Sequence, residues 1–267
     1  MPTLTRFGKL GCLPPRPAQQ ARLLKLAKYV SPSRLPAPPA ETHWRAAVSN
    51  WGMLANDTIG DCTEACVGHA LIGWAANSNV ALKLPDGATL TNPDAQLEPY
   101  VLDAYERVSG YVPGDPATDR GAVIVDVLGD WRAKGVAGNK LGAYASVEPT
   151  DHVLASTSVW LFGGASCGVN LPLAWQGADV WKAPSRFHRF GDWAPGSWGG
   201  HCVLAIDYDA EFLYVVTWGQ IMPVAWAAVD AYFSEFYPLL DNLWVSGGRQ
   251  APSGFDLANL QQDLALV

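Results

Sequence analysis

The sequence predicts an α+β fold, with helices in its first half and strands in its second. Apolar runs at helical spacing lie before about residue 148, and short apolar runs bounded by glycine and turn residues follow Pro149. The 267 residues are 49% hydrophobic and 16% charged, a composition that buries a large core without cross-links. The five cysteines, odd in number and irregularly spaced, do not form a secreted disulfide framework. A net charge of -7 without a basic cluster excludes a nucleic-acid partner. No apolar leader occupies Met1–Cys12 and no run is long enough to span a bilayer, so no membrane role is expected.

Residues 1–42 read as an extended arm carrying Pro14, Pro15, Pro17, Pro32, Pro36, Pro38 and Pro39. A short basic amphipathic helix over Gln19–Tyr29, with Leu23, Leu24, Leu26 and Ala27, interrupts it. Three roles are open to this arm: docking on the chain's own body, binding a partner or self-assembling, or acting as a pro-segment. One domain is expected over 43–250, with a helical half at about 43–148 and a β half at about 149–250, followed by a tail at 251–267. In the helical half, Asp61 and Glu64 have capping-box spacing before the run Ala65–Ala76. Further helices are expected over Asp94–Val108 and Ala122–Lys134, the latter ended by Gly135. Strands are expected at Thr157–Phe162, Ser166–Asn170, Cys202–Tyr208, Leu213–Trp218 and Leu243–Ser246. Pro172–Gly200 carries Trp175, Trp181, Trp193 and Trp198; it reads as a loop packed by its own aromatics, or else as a binding rim beside His201.

Cys62 is expected on the first turn of its helix, facing unpaired N–H groups and the positive end of the dipole, which favours a thiolate. The other reading is a small hydrophobe near a helix start. A nucleophile needs a base within hydrogen-bond reach. His69, seven residues on, lies about 10 Å along the axis and is too far. His43, His152 and His188 sit beside the arm, at a helix start and on an exposed loop. His201 differs, because it opens an apolar strand behind Gly199-Gly200, where small residues let another backbone approach. The strand Phe212–Gln220 should pair with it, bringing Thr217 or Gln220 to the imidazole. A metal centre is disfavoured: Cys62, Cys66 and His69 are spread along more than two turns, and no Cys-x-x-Cys pair occurs. No phosphate-binding loop is evident, and no cofactor is expected.

These motifs together resemble the papain-like cysteine peptidases. Trp44-Arg45, Asn56 twelve residues after the tryptophan and Cys62 six residues later match that family's Trp-Arg pair, oxyanion glutamine and nucleophile. Gly200-His201, Asp207-Tyr208 and Val216-Thr217-Trp218-Gly219 match its histidine strand and its Asn-Ser-Trp-Gly strand end, and Asp119-Arg120-Gly121 its glycine turn on the cleft wall. The resemblance covers about residues 43–245. It implies a papain-like fold, with the Cys helix packed on an antiparallel β half. It also implies a substrate wall at Asp119, Gly121 and Gly200, and Trp218 as a shield over the histidine. Val216 replaces the orienting asparagine, Asn56 the glutamine, Ile59 a half-cystine and Thr63 an aromatic. These departures are closest in character to papain-like proteins of bacteria and tailed bacteriophages, so the cytoplasm of a bacterial host, or a virion, is the expected location. The arm is far shorter than the family's inhibitory pro-segments.

Two functions compete on this reading. The first is a thiol hydrolase acting on a peptide or protein substrate, with Cys62 as nucleophile, His201 as base and acid, and Asn56 with the Cys62 N–H as oxyanion donors. The second is a catalytically degenerate domain with a structural or binding role, for instance in a phage particle. The first requires the Cys62 sulfur within about 4 Å of the His201 ring. Asp207 lies roughly 20 Å along the strand from His201 and cannot orient it. Thr217 is the expected orienting group, presented by a bulge near Trp218, with Gln220 as the rival.

Overall fold

The computed structural model describes residues 8–29, 37–78 and 81–241. Its helices are α1 (Pro17–Gln20), α2 (Cys62–Asn77), α3 (Pro93–Gln96), α4 (Glu98–Ser109), α5 (Ile124–Ala133), α6 (His152–Phe162) and α7 (Trp226–Tyr232). Its strands are β1 (Cys12–Leu13), β2 (Ala122–Val123), β3 (Ala143–Tyr144), β4 (Ala165–Leu171), β5 (Gly199–Tyr208), β6 (Phe212–Thr217), β7 (Gln220–Ala225) and β8 (Phe233–Leu240). An antiparallel sheet runs in the order β3-β8-β4-β5-β6-β7, while β1 and β2 form a separate parallel pair.

The sheet divides the core in two. Alternation along β5 sends Cys202, Leu204 and Ile206 into a cluster with α2, α4 and α5. Val203 and Ala205 face the opposite cluster with α6, α7 and the tryptophan-rich connection. Buried on both sides, β5 is the floor of the molecule, and α2 lies directly across it. Every residue of α2 from Cys62 to Trp74 is buried, which explains its largely apolar and small composition, with Thr63, Glu64 and His69 as buried polar exceptions. Gly68 lets Leu54 pack close, since a Cβ there would stand 2.4 Å from Leu54 Cδ1 and push that side chain aside.

The α+β class holds, and several elements differ in detail from the sequence expectation. The expected strand Thr157–Phe162 is the end of α6, capped by Asp151 at the Leu154 N–H (3.0 Å) and stopped by Gly163 at φ 68°. β-branched residues suggested a strand, but this helix is buried on most sides, and packing overrides propensity. No single helix spans Gln19–Tyr29. Leu24 and Leu26 instead exchange backbone hydrogen bonds with Ser146 (2.6 and 2.9 Å), which straightens the chain and buries Leu26. That part of the arm therefore docks on the chain's own body. Phe212–Gln220 is not one strand either, since Trp218 (φ 46°) and Gly219 (φ 69°) reverse it into β7. The expected strand Leu243–Ser246 and the tail 251–267 lie outside the described residues.

Aromatic packing explains the tryptophan-rich connection. Trp175 and Trp181 stack at 4.7 Å, and Tyr232 meets Trp175 edge-on at the same distance. The Trp181 backbone pairs with Pro223 and Ala225 (both 2.9 Å), fastening the loop to β7.

Candidate active site

Cys62 is the first residue of α2 and is 1% exposed. Its helix begins where expected, but the cap works differently. Asp61 makes no side-chain capping bond, and both its carboxyl oxygens are buried without a partner. Glu64 accepts the Thr63 hydroxyl instead of reaching back. Two buried carboxyls thus flank the thiol. Burial pushes the Cys62 thiol well above the ordinary thiol range; N–H groups of Cys202 and Gly11 offset this only in part, and Asp61 and Glu64 add to it. Desolvation thus outweighs the helix end and favours the thiol over the expected dipole-stabilised thiolate.

His201 stands on β5 under the Trp218 ring, with centroids 4.5 Å apart and planes 22° from parallel. Its Nε2 is hydrogen-bonded to Thr217 Oγ1 at 2.8 Å, while its Nδ1 is buried and makes no hydrogen bond. The tight turn at Trp218-Gly219, rather than a bulge, presents Thr217; the bulge lies further along, between Ala205 and Asp207. Gln220 opens β7 and is exposed. Val216 is buried against the α2 side of the core. Asp207 serves another purpose at the far end of β5. It accepts hydrogen bonds from Thr42 Oγ1 (2.8 Å), the Trp44 and Arg45 N–H groups (2.7 and 2.9 Å) and Arg45 Nη1 (2.8 Å).

Asn56 ends a strained turn in which Leu54 (φ 55°) and Ala55 (φ 68°) are both left-handed. Asp94 on α3 holds this turn by accepting the Met53 and Leu54 N–H groups at 2.7 and 3.0 Å. The Asn56 amide donates to the carbonyls of Ile59 (3.2 Å) and Lys9 (3.3 Å). Asp119 accepts the Gly60 N–H (2.9 Å) and the Tyr105 hydroxyl (2.6 Å), and the same hydroxyl accepts the Gly121 N–H at 3.0 Å.

A groove runs between these walls, and residues 8–13 lie along it. Lys9 N–H donates to Asn56 O (2.7 Å), Trp218 Nε1 donates to Lys9 O (3.3 Å) and Ala122 N–H donates to Gly11 O (2.8 Å). Cys12 then pairs with Ala122, and its carbonyl oxygen lies against Gly200.

The buried titratable groups set opposite pH dependences. Burial, with a smaller push from His69, lowers His201 to about 3, and burial lowers His69 to about 4. Both rings are neutral when folded and charge more readily unfolded, so their contribution is present above about pH 6.5 and lost as pH falls towards these values. Burial raises Glu64 to about 8, so its contribution is present below about pH 4.5 and lost as pH rises through about 8. Glu64→Gln should reduce the loss of stability between about pH 4.5 and 8, leaving the part that buried Asp61 contributes, and should leave the acid-side loss in place. Thermal unfolding followed across pH checks this, and an unchanged profile would contradict it.

No family profile and no characterised protein sequence matches the chain. Solved structures do. Xylellain, a cysteine protease from Xylella fastidiosa, is similar at a TM-score of 0.62 with 13% identity, over 90% of this chain and 99% of that one. The fold is papain-like. Digestive procathepsin L 3 of Tenebrio molitor larval midgut gives a TM-score of 0.51 at 12% identity over 82% and 76% of the two chains. A recombinant stem bromelain precursor gives 0.53 at 11% identity over 90% and 78%.

Within this papain-like fold, the helical half presents Cys62, Asn56, Asp119 and Gly121, and the β half presents Gly200, His201, Thr217 and Trp218. Sequence reasoning missed three things here. Asp61 and Glu64 have the spacing of caps and are instead buried, and the polar stretch Asn56–Glu64 around them carries no signal of that burial. Asp94 was read only as a helix start. The seating of residues 8–13 carried one signal, the spacing of Gly8 and Gly11 against the wall glycines.

Proposed function

We propose that the chain is a papain-like thiol hydrolase that cleaves a peptide bond with Cys62 and His201. The observation that carries this reading is the state of His201: Nε2 is tied to Thr217 and Nδ1 is left without a partner beneath Trp218. With the Nε2 proton donated to Thr217, the Nδ1 lone pair is the base. Cys62 lies against the Cys202 N–H, one residue from His201, but among the described residues no hydrogen bond joins its thiol to the imidazole while residues 8–13 fill the groove.

His201 takes the thiol proton as sulfur attacks the carbonyl carbon, then returns it to the departing amine. Water hydrolyses the resulting thioester by the reverse transfers. The Asn56 amide and the Cys62 N–H hold the oxyanion, while Asp119, Gly121 and Gly200 form the wall along which the substrate backbone lies. In the closed form the thiol and imidazole are both neutral and residues 8–13 fill the groove, so reaction requires that segment to leave and water to enter.

Alkylation tests the assignment. Iodoacetamide should abolish hydrolysis of an unfolded protein substrate in step with modification of Cys62, mapped by peptide mass. Hydrolysis that survives complete Cys62 alkylation would overturn it.

The histidine-orienting role of Thr217 has its own test. Thr217→Val removes one neutral hydrogen bond of about 1 kcal/mol and should lower kcat about fivefold. KM should be unchanged, with the histidine limb of the pH profile displaced. Unchanged kcat in Thr217→Val together with a loss in Gln220→Ala would move the role to Gln220.

A further inference from the structure

The groove is built around an occupant's main chain. A Cβ on Gly121 or Gly200 would stand 2.1 or 2.2 Å from the carbonyl oxygens of Gly11 and Cys12. The wall therefore has glycine where the occupant's backbone passes, and the hydrogen bonds to Asn56, Trp218 and Ala122 all go to the occupant's peptide groups. Main-chain bonds of this kind accept any sequence, so discrimination falls to steric exclusion.

Exclusion acts at two positions of the occupant. A Cβ on Gly8 would lie 2.1 Å from Asn56 O and 2.3 Å from Trp218 Cδ1, and one on Gly11 would lie 1.7 Å from Gly60 O. Gly11 has no positive φ, so space rather than backbone conformation requires it. Between them Leu10 lies against Gly199 and packs on the β-half core, whereas Lys9 is exposed.

We infer that the groove selects extended peptides of the form Gly-x-Leu-Gly, with glycine enforced at both ends, an aliphatic side chain between and free choice at x. This deepens the hydrolase reading, on which it rests for calling such peptides substrates. One added methyl at either end lowers affinity about 10- to 200-fold, the range for a methyl-sized misfit in a closed pocket.

The test uses the full chain and a binding readout that needs no hydrolysis. In Gly11→Ala the segment no longer fits, and iodoacetamide should modify Cys62 at least about tenfold faster than in the unchanged protein. Lys9→Pro, which removes the N–H donated to Asn56, is the second opening variant and leaves the groove intact. The peptide Gly-Lys-Leu-Gly-Ser-Leu, at about 1 mM, should restore protection of Cys62 in either variant. Gly-Ala-Leu-Gly-Ser-Leu should protect equally well. Ala-Lys-Leu-Gly-Ser-Leu and Gly-Lys-Leu-Ala-Ser-Leu should not.

Equal protection by the alanine peptides, failure of the parent peptide, or an unaltered Cys62 rate in both variants would overturn the inference. Protection without any hydrolysis would remove the enzyme and keep the selective groove. Hydrolysis of peptides lacking glycine would keep the enzyme and remove the selectivity.

Discussion

Cys62→Ala should abolish hydrolysis, lowering kcat by about 10⁴-fold or more, because loss of a nucleophile leaves only binding and oxyanion stabilisation. The side chain is small and buried at the start of α2, so the substitution removes one sulfur and little packing. The variant should fold, keep residues 8–13 in the groove and unfold within a few degrees of the parent. Comparing single-turnover rates in the two proteins after opening the groove makes the measurement. A variant that still turns over at a tenth of the parent rate would place the chemistry elsewhere. The degenerate-scaffold reading makes the opposite prediction, that neither protein turns over once the groove is open.

Asp207→Ala should be the most damaging single change to stability. The carboxylate is fully buried and collects four hydrogen bonds, including the ion pair with Arg45 at 2.8 Å. Arg45 is itself held, its guanidinium lying 3.7 Å over the Tyr214 ring. Removing one member of a buried pair costs about 3–5 kcal/mol, since the remaining charge and donors keep their desolvation penalty. For a chain of this size that corresponds to roughly 6–20 °C in Tm. Asp207→Asn keeps an acceptor and should lose less. Calorimetry showing the alanine variant within about 2 °C of the parent would refute the account.

Asp207 also shows what was legible beforehand. Sequence placed it on the histidine strand and ruled it out as the orienting group; nothing local showed that it anchors Thr42–Arg45, more than 160 residues away. The strand that carries His201 was legible because glycines bound an apolar run and mark a close approach, and Cys12 O does lie against Gly200. The start of α2 was legible from Asp61 and Glu64, although these acids turned out buried and not capping. α6 was misread because its β-branched and aromatic residues carry the same composition as a buried strand. The turn at Trp218 was hidden, since a tryptophan at positive φ is imposed by tertiary packing and not by its own preference.

Because the groove already holds part of the same chain, any measured affinity reports a competition. A tethered segment acts at an effective concentration in the millimolar range, and an incoming peptide binds only the fraction of molecules whose groove is open. If the segment is seated about 99% of the time, the apparent Kd of an incoming peptide is about 100-fold weaker than its intrinsic value. A first tenfold loosening of the segment then raises peptide affinity about ninefold with no change to a single residue of the groove, and further loosening gains less as the open fraction approaches one. The affinity of this site is therefore set as much by the segment Gly8–Leu13 as by the walls around it.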